Sequence, residues 1–160
     1  MNINIICVGK LKEDYLKSAS AEYIKRLGAF ANIGIIELEE SRLGEKPSDK
    51  QISTALRAEA VCFEKFLSAH KGYNIALCIE GKMLSSTELA QKLQNVTLEG
   101  KSTVNFLIGS SFGLDESLKN ACDMRLSVSK MTFPHQLFRV MLLEQIYRCF
   151  QINSGSKYHK

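Results

Sequence analysis

The chain has 160 residues, 45% of them hydrophobic and 24% charged, with a formal net charge of +4. That length fits one domain, residues 1–160, with a core that buries roughly 70% of the unfolded surface. No apolar run approaches the roughly 18 residues of a membrane span, so no membrane partner is expected.

The elements alternate along the chain. Ile3–Val8 reads as a strand ended by Gly9, and the start lacks the basic region and cleavage site of a signal peptide, so a cytoplasmic protein is expected. Glu13 to Phe30 has helical spacing through Tyr15, Leu16, Ala19, Tyr23, Ile24 and Leu27. Ile33–Leu38 is a second strand, followed by a polar loop around Arg42–Pro47. Ser48 caps a helix through Ala69. Tyr73–Ile79 is a third strand closed by Glu80-Gly81, and Ser85 or Ser86 caps a helix to about Leu93. Thr103–Ile108 is a fourth strand, a short helix spans about Asp115 to Ala121, and Met124–Val128 is a fifth strand. Pro134 opens a last helix to about Ile152. This order predicts an α/β fold, a parallel-rich sheet with helices on both faces. The last helix carries an apolar stripe (Leu137, Val140, Met141, Leu143, Ile146, Tyr147, Phe150) that is either wholly core or half core and half subunit contact.

Residues 119–160 hold seven basic side chains against Asp123 and Glu144, a net +5, which leaves −1 for the rest. A basic third of this kind suits a polyanionic partner or a solvated surface equally well. The five cysteines are scattered, none at C-x-x-C spacing, which speaks for buried reduced thiols and against a zinc site or redox dithiol.

Among motifs, Gly109-x-Ser111-x-Gly113 matches the nucleophile elbow of serine hydrolases, with Asp123 and His135 downstream in the required order. The chain is short for that fold and has no His-Gly-Gly-Gly-like oxyanion loop. Gly100-Lys101-Ser102 ends like a P-loop, but Asn95 stands where glycine is needed, and Gly9 begins no dinucleotide fingerprint. Read instead as loop glycines, Gly109 and Gly113 let backbone approach a ligand. Together with the ends of the strands at Leu77 and Ser127, they outline a cleft for an adenosine, with Leu77, Met131 and Phe133 as apolar walls. His70 reads as a helix cap and His135 as a structural residue at a helix start. His159 stands open between a functional residue and an unconstrained terminus.

Phe106-Leu107-Ile108-Gly109 with Gly113-Leu114, then Ser129-Lys130-Met131-Thr132-Phe133-Pro134-His135, Arg139-Val140, Glu144-Gln145-Ile146-Tyr147-Arg148 and terminal Tyr158-His159-Lys160 together resemble the RlmH family. These are small bacterial SPOUT-class methyltransferases acting on a pseudouridine of large-subunit (23S) ribosomal RNA. The likeness runs from Ile5 to the last residue, with one departure: Ser110 stands where the family usually has a second glycine. It implies a single SPOUT domain with a C-terminal trefoil knot in about residues 75–160. It also implies a homodimer, S-adenosylmethionine as methyl donor without a metal, and the assembled ribosome as substrate. Cofactor contacts would fall on Leu77, Gly109, Val128, Ser129, Lys130, Met131, Thr132 and Phe133. For N3 methylation of pseudouridine, His159 is the candidate base or proton shuttle. Tyr158 would stack on or bond the ring, and Arg139 and Arg148 would bind phosphate or ring oxygens. A small serine hydrolase using Ser111, or a non-catalytic RNA-binding module, are the competing readings.

Overall fold

A computed structural model describes residues 1–159. Ten elements follow one another: β1 (Asn2–Val8), α1 (Asp14–Leu27), β2 (Asn32–Leu38), α2 (Asp49–Ala69), β3 (Tyr73–Met83), α3 (Ser86–Leu98), β4 (Thr103–Ile108), α4 (Glu116–Ala121), β5 (Met124–Ser127) and α5 (His135–Asn153). The strands form one five-stranded sheet in the order β2-β1-β4-β3-β5, every pairing parallel.

The caps follow from the sequence. Ser48 accepts from the Gln51 amide while the Gln51 side chain accepts from the Ser48 amide, and Ser85 and Glu88 repeat this capping box. Asp115 caps α4 by accepting from the Ser117 and Leu118 amides. α3 continues to Leu98, a turn past the expected end, because Leu93 and Val96 are both buried on its inner face.

β1 and β4 are covered on both sides, which is why they read as unbroken apolar runs. On one face Ile3, Ile5, Ile75 and Phe106 pack with Leu27 of α1, Leu93 of α3 and Leu142 and Ile146 of α5. On the other, Ile6, Ala76 and Leu107 pack with Phe63 of α2 and Leu118 of α4. The helical pattern misplaced one residue: Tyr15 is 68% exposed, while Leu16 beside it is buried. The α5 stripe is split. Leu142, Leu143, Ile146 and Cys149 are buried, whereas Leu137 is 39% exposed and Val140 and Met141 are half-buried.

The amino end of the sheet is closed by amides. Asn105 of β4 is fully buried; it accepts from Asn4 Nδ2 at 2.8 Å and donates to Asn74 Oδ1 at 2.8 Å and to the His70 carbonyl at 3.0 Å. Asp123 Oδ2 accepts from the Asn74 amide at 2.7 Å, tying the start of β5 to the same corner.

Candidate active site

The other end of the sheet is open. At the carboxyl ends of β3, β4 and β5 lies a cleft of about 680 Å³. Its size falls within the range of small-molecule sites, about 300–1,000 Å³. Three segments build it, and each leaves the sheet for a different local reason.

The first is an excursion within β3. Leu77 and Lys82 both pair with Leu126, so Cys78–Gly81 loops out of the ladder and turns its side chains towards the cleft. Gly81 is required there, because a Cβ would stand 2.6 Å from the Leu126 carbonyl carbon. The second is the turn after β4. A Cβ on Gly109 would lie 2.0 Å from the Gly113 oxygen, and Gly113 itself has φ +87°. Ser110, by contrast, has an ordinary backbone conformation: among the described residues only glycines have positive φ. A glycine at that position is therefore not demanded by the turn.

The third segment is 127–134. Ser127 Oγ donates to the Ser129 carbonyl at 2.9 Å, and Ser129 Oγ accepts from the Met131 amide at 3.0 Å. These side chains hold the loop locally. Among the described residues, Val128–Phe133 makes no backbone–backbone hydrogen bond. Free amides and carbonyls beside Leu77, Met131 and Phe133 are what an adenine needs, donors and acceptors at its edge and apolar surface on its faces. At the mouth, the Lys119 ammonium hydrogen-bonds Glu80 and holds its carboxyl below the ordinary range, so Glu80 remains an ionised acceptor.

Seven of the eight residues expected to hold the cofactor line this cleft: Leu77, Gly109, Val128, Ser129, Met131, Thr132 and Phe133. Lys130 is not among the lining residues and is exposed. Ile79, Glu80, Phe112, Lys119 and Phe138 also line it. Of these, Ile79 and Glu80 belong to the strand-end segment after Leu77 and Phe112 to the glycine loop, whereas no sequence signal marks Lys119 or Phe138. His135 lines it too, although the sequence reading made it structural.

The expected catalytic residues lie elsewhere. Arg139 is 2% exposed and engaged inside the chain, with Nη1 2.6 Å from Glu37 Oε1 and Nη2 donating to the Gly9 carbonyl at 3.0 Å. It braces the start of α5 against the ends of β1 and β2, and a guanidinium so occupied is not open to phosphate. Arg148, Tyr158 and Glu144 form a cluster on the outward side of α5. Arg148 pairs with Glu144 at 2.5 Å and lies 4.9 Å from the centre of the Tyr158 ring, and the Tyr158 hydroxyl donates to Glu144 Oε1 at 3.2 Å. Burial first, then the Glu144 carboxylate, push the Tyr158 phenol up, so it remains a donor. His159 is exposed beside it. Glu144 is nine residues from His135, about 14 Å along the helix axis and half a turn round it. Among the described residues, none of 154–159 lines the cleft.

The hydrolase arrangement is also dispersed. Asp123 belongs to the closed corner at the amino end of the sheet, whereas Ser111 and His135 line the cleft at the carboxyl end.

A family model described as "Predicted SPOUT methyltransferase" matches residues 1–159. The chain belongs to the SPOUT methyltransferase family. It is 48% identical over 162 residues to the ribosomal RNA large subunit methyltransferase H of Clostridium novyi (strain NT), covering 100% of both chains. To the protein of the same name from Streptococcus equi subsp. zooepidemicus it is 46% identical over 160 residues, again covering 100% of both. Among solved structures, the tRNA (m1G37) methyltransferase of Aquifex aeolicus superposes with a TM-score of 0.54 at 12% identity, covering 92% of this chain and 70% of the other. The SpoU methyltransferase AviRb of Streptomyces viridochromogenes gives 0.50 at 14% identity, covering 97% and 61%. At these identities the structures establish the fold. As a SPOUT methyltransferase the protein is an enzyme that uses S-adenosylmethionine, and the size, free backbone and apolar walls of the cleft fit that molecule.

Proposed function

We propose that this enzyme methylates large-subunit ribosomal RNA at N3 of a pseudouridine, acting as a homodimer on the assembled ribosome. The observation that carries the reading is the cleft at the ends of β3, β4 and β5, in a chain matched over its full length by the large subunit methyltransferases H. S-adenosylmethionine supplies there a methyl group activated by its sulfonium.

The residues of this chain do the rest. The 127–134 loop reads the adenine edge through its free backbone, and Leu77, Met131 and Phe133 enclose the ring. Glu80, ionised, is placed to accept from the ribose hydroxyls. The acceptor nitrogen carries a proton at neutral pH, and His159 takes it or passes it to solvent. Arg148 balances the charge that grows on the ring oxygens, oriented by Glu144. Tyr158 donates to the base from its raised, protonated state.

A second subunit resolves the separation of tail from cleft. The outward side of α5, with Leu137, Val140, Met141 and the Glu144–Arg148–Tyr158 cluster, is the face for the partner, and Phe112, Val128 and Met131 continue it as an exposed apolar rim of the cleft. The tail of one protomer then serves the cleft of the other. The trefoil knot belongs to the same proposal: the chain leaves β5 at the sheet edge and returns inward, where α5 packs against α1 and α3. A +5 segment per subunit is modest for free RNA, which favours an assembled particle that offers further contacts.

Removal of Tyr158–Lys160 tests the whole. The shortened protein is expected to remain dimeric in sedimentation and to bind S-adenosylhomocysteine as the full chain does. It should transfer no labelled methyl group to ribosomes lacking the modification. Normal transfer by the shortened protein would remove the tail from the mechanism.

A further inference from the structure

One buried ionisable group is left unused by this mechanism. Glu59 of α2 is 4% exposed, a setting in which carboxylates are normally paired with a cation. Its partners here are neutral. The Ser41 amide donates to Oε1 at 3.0 Å, and Ser110 lines the same cavity as the carboxylate. Ser41 is tied to α2 a second time, its hydroxyl donating to the Ala55 carbonyl at 3.3 Å. Burial pushes the Glu59 carboxyl above the ordinary range while the Ser41 amide and Ser110 hydroxyl pull it back.

These residues border a second cavity, about 350 Å³, between the 40–44 loop, α2 and the turn after β4. Its wall at Ser110, Ser111 and Phe112 is shared with the cofactor cleft. The turn is thus a thin partition with a cavity on each side. It is closed on itself, the Gly113 amide donating to the Ser110 carbonyl at 2.9 Å, and between its buried ends at Ile108 and Leu114 a side chain of the turn can tie it to the neighbouring elements. Ser111 and Phe112 are exposed, whereas Ser110 is buried and shares the lining of the second cavity with Glu59. A carboxylate that is desolvated without a cation lowers stability. Such departures from good packing chemistry are retained where they hold a functional geometry.

We propose that Glu59 is a positioning residue for the cofactor-binding turn: it clamps Ser110 to α2 and to the 40–44 loop, so that Gly109 and Ser110 present their backbone to the cleft. The inference rests on the reading that S-adenosylmethionine lies in that cleft.

Calorimetric titration of S-adenosylhomocysteine into the full chain tests it, with Glu59→Gln, Ser110→Ala, the double variant, and Gly109→Ala as a control on the cleft. Each of the first two is expected to weaken binding about three- to tenfold, the double variant being no worse than the poorer single because both remove one shared interaction. Glu59→Gln is close to isosteric and sheds a buried charge, so its melting temperature should not fall. In steady-state methylation its KM for S-adenosylmethionine should rise while kcat stays within about twofold of wild type. A purely structural role would instead lower the melting temperature and leave the affinity of the folded protein unchanged. Affinities within about twofold of wild type for both Glu59→Gln and Ser110→Ala, with Gly109→Ala still abolishing binding, would overturn the clamp and leave the cleft reading intact. Normal binding by Gly109→Ala would overturn the cleft reading, and the clamp with it.

Discussion

At the amino end of the sheet, three asparagines on adjacent strands bond to one another and to a carbonyl, and Asn105 has no exposed surface at all. At the carboxyl end the backbone leaves its ladder, glycines stand where no Cβ fits, and the loop after β5 makes no backbone–backbone hydrogen bond from Val128 to Phe133. The same strands thus end in two different chemistries. Polar groups satisfied within the fold raise stability and do nothing else; polar groups left unsatisfied by the fold are available to a ligand. Open α/β sheets place their ligands at strand carboxyl ends, and here the amide ladder shows what the opposite end does with similar groups.

Two changes would separate the two ends. Gly109→Ala has the largest expected effect, because a methyl group 2.0 Å from the Gly113 oxygen forces the turn to move. Displacement of that order costs about two orders of magnitude in binding or rate, read as loss of S-adenosylhomocysteine binding by a protein that still unfolds cooperatively. Asn105→Leu strikes the closed end. It strands the Asn4 and Asn74 amides and the His70 carbonyl, for about 2–3 kcal/mol and a melting temperature lower by about 5–10 °C, with cofactor affinity unchanged in the folded protein. If the affinity fell as well, the two ends would not be independent.

The smallest effect concerns thiols. Burial pushes Cys7 and Cys122 up to about 11 and Cys149 up to about 12, whereas Cys62 is exposed. Iodoacetamide at pH 8 should modify Cys62 without loss of activity and spare Cys7 and Cys149 until the chain unfolds, as peptide mass spectrometry would show. The same raised values fix the sign of an alkaline effect. Folding disfavours these thiolates, so the contribution is intact below the ordinary thiol pKa of 9 and is lost as pH climbs towards 11.

The fold was legible because its signals are local. Ser48, Ser85 and Asp115 announce helix starts, and the double-sided burial of β1 and β4 produces apolar runs without alternation. The seven cofactor-cleft residues follow from resemblance, and strand-end reasoning independently points to Leu77, Gly109 and the loop after Ser127 that carries Met131 and Phe133. What was not legible depends on contacts distant in sequence. Arg139 and Glu37 are 102 residues apart, and nothing near either shows that one consumes the other. Glu80 and Lys119 are 39 apart, and their pairing at the mouth needs the excursion in β3, which the sequence reading had closed as a simple strand end at Ile79. Glu59 lies on the inner face of α2 with Ala55, Ala60 and Phe63, and the 40–44 loop and the turn after β4 close over it.

Because Leu77 and Lys82 share Leu126 as their neighbour, the sheet is already sealed behind Cys78–Gly81. Those four residues hang from a closed seam, so adding or deleting one would alter their outline without shifting the alignment of any strand. A lineage that needed a roomier or narrower mouth has at this seam a place to change its shape while leaving the remainder of the architecture untouched.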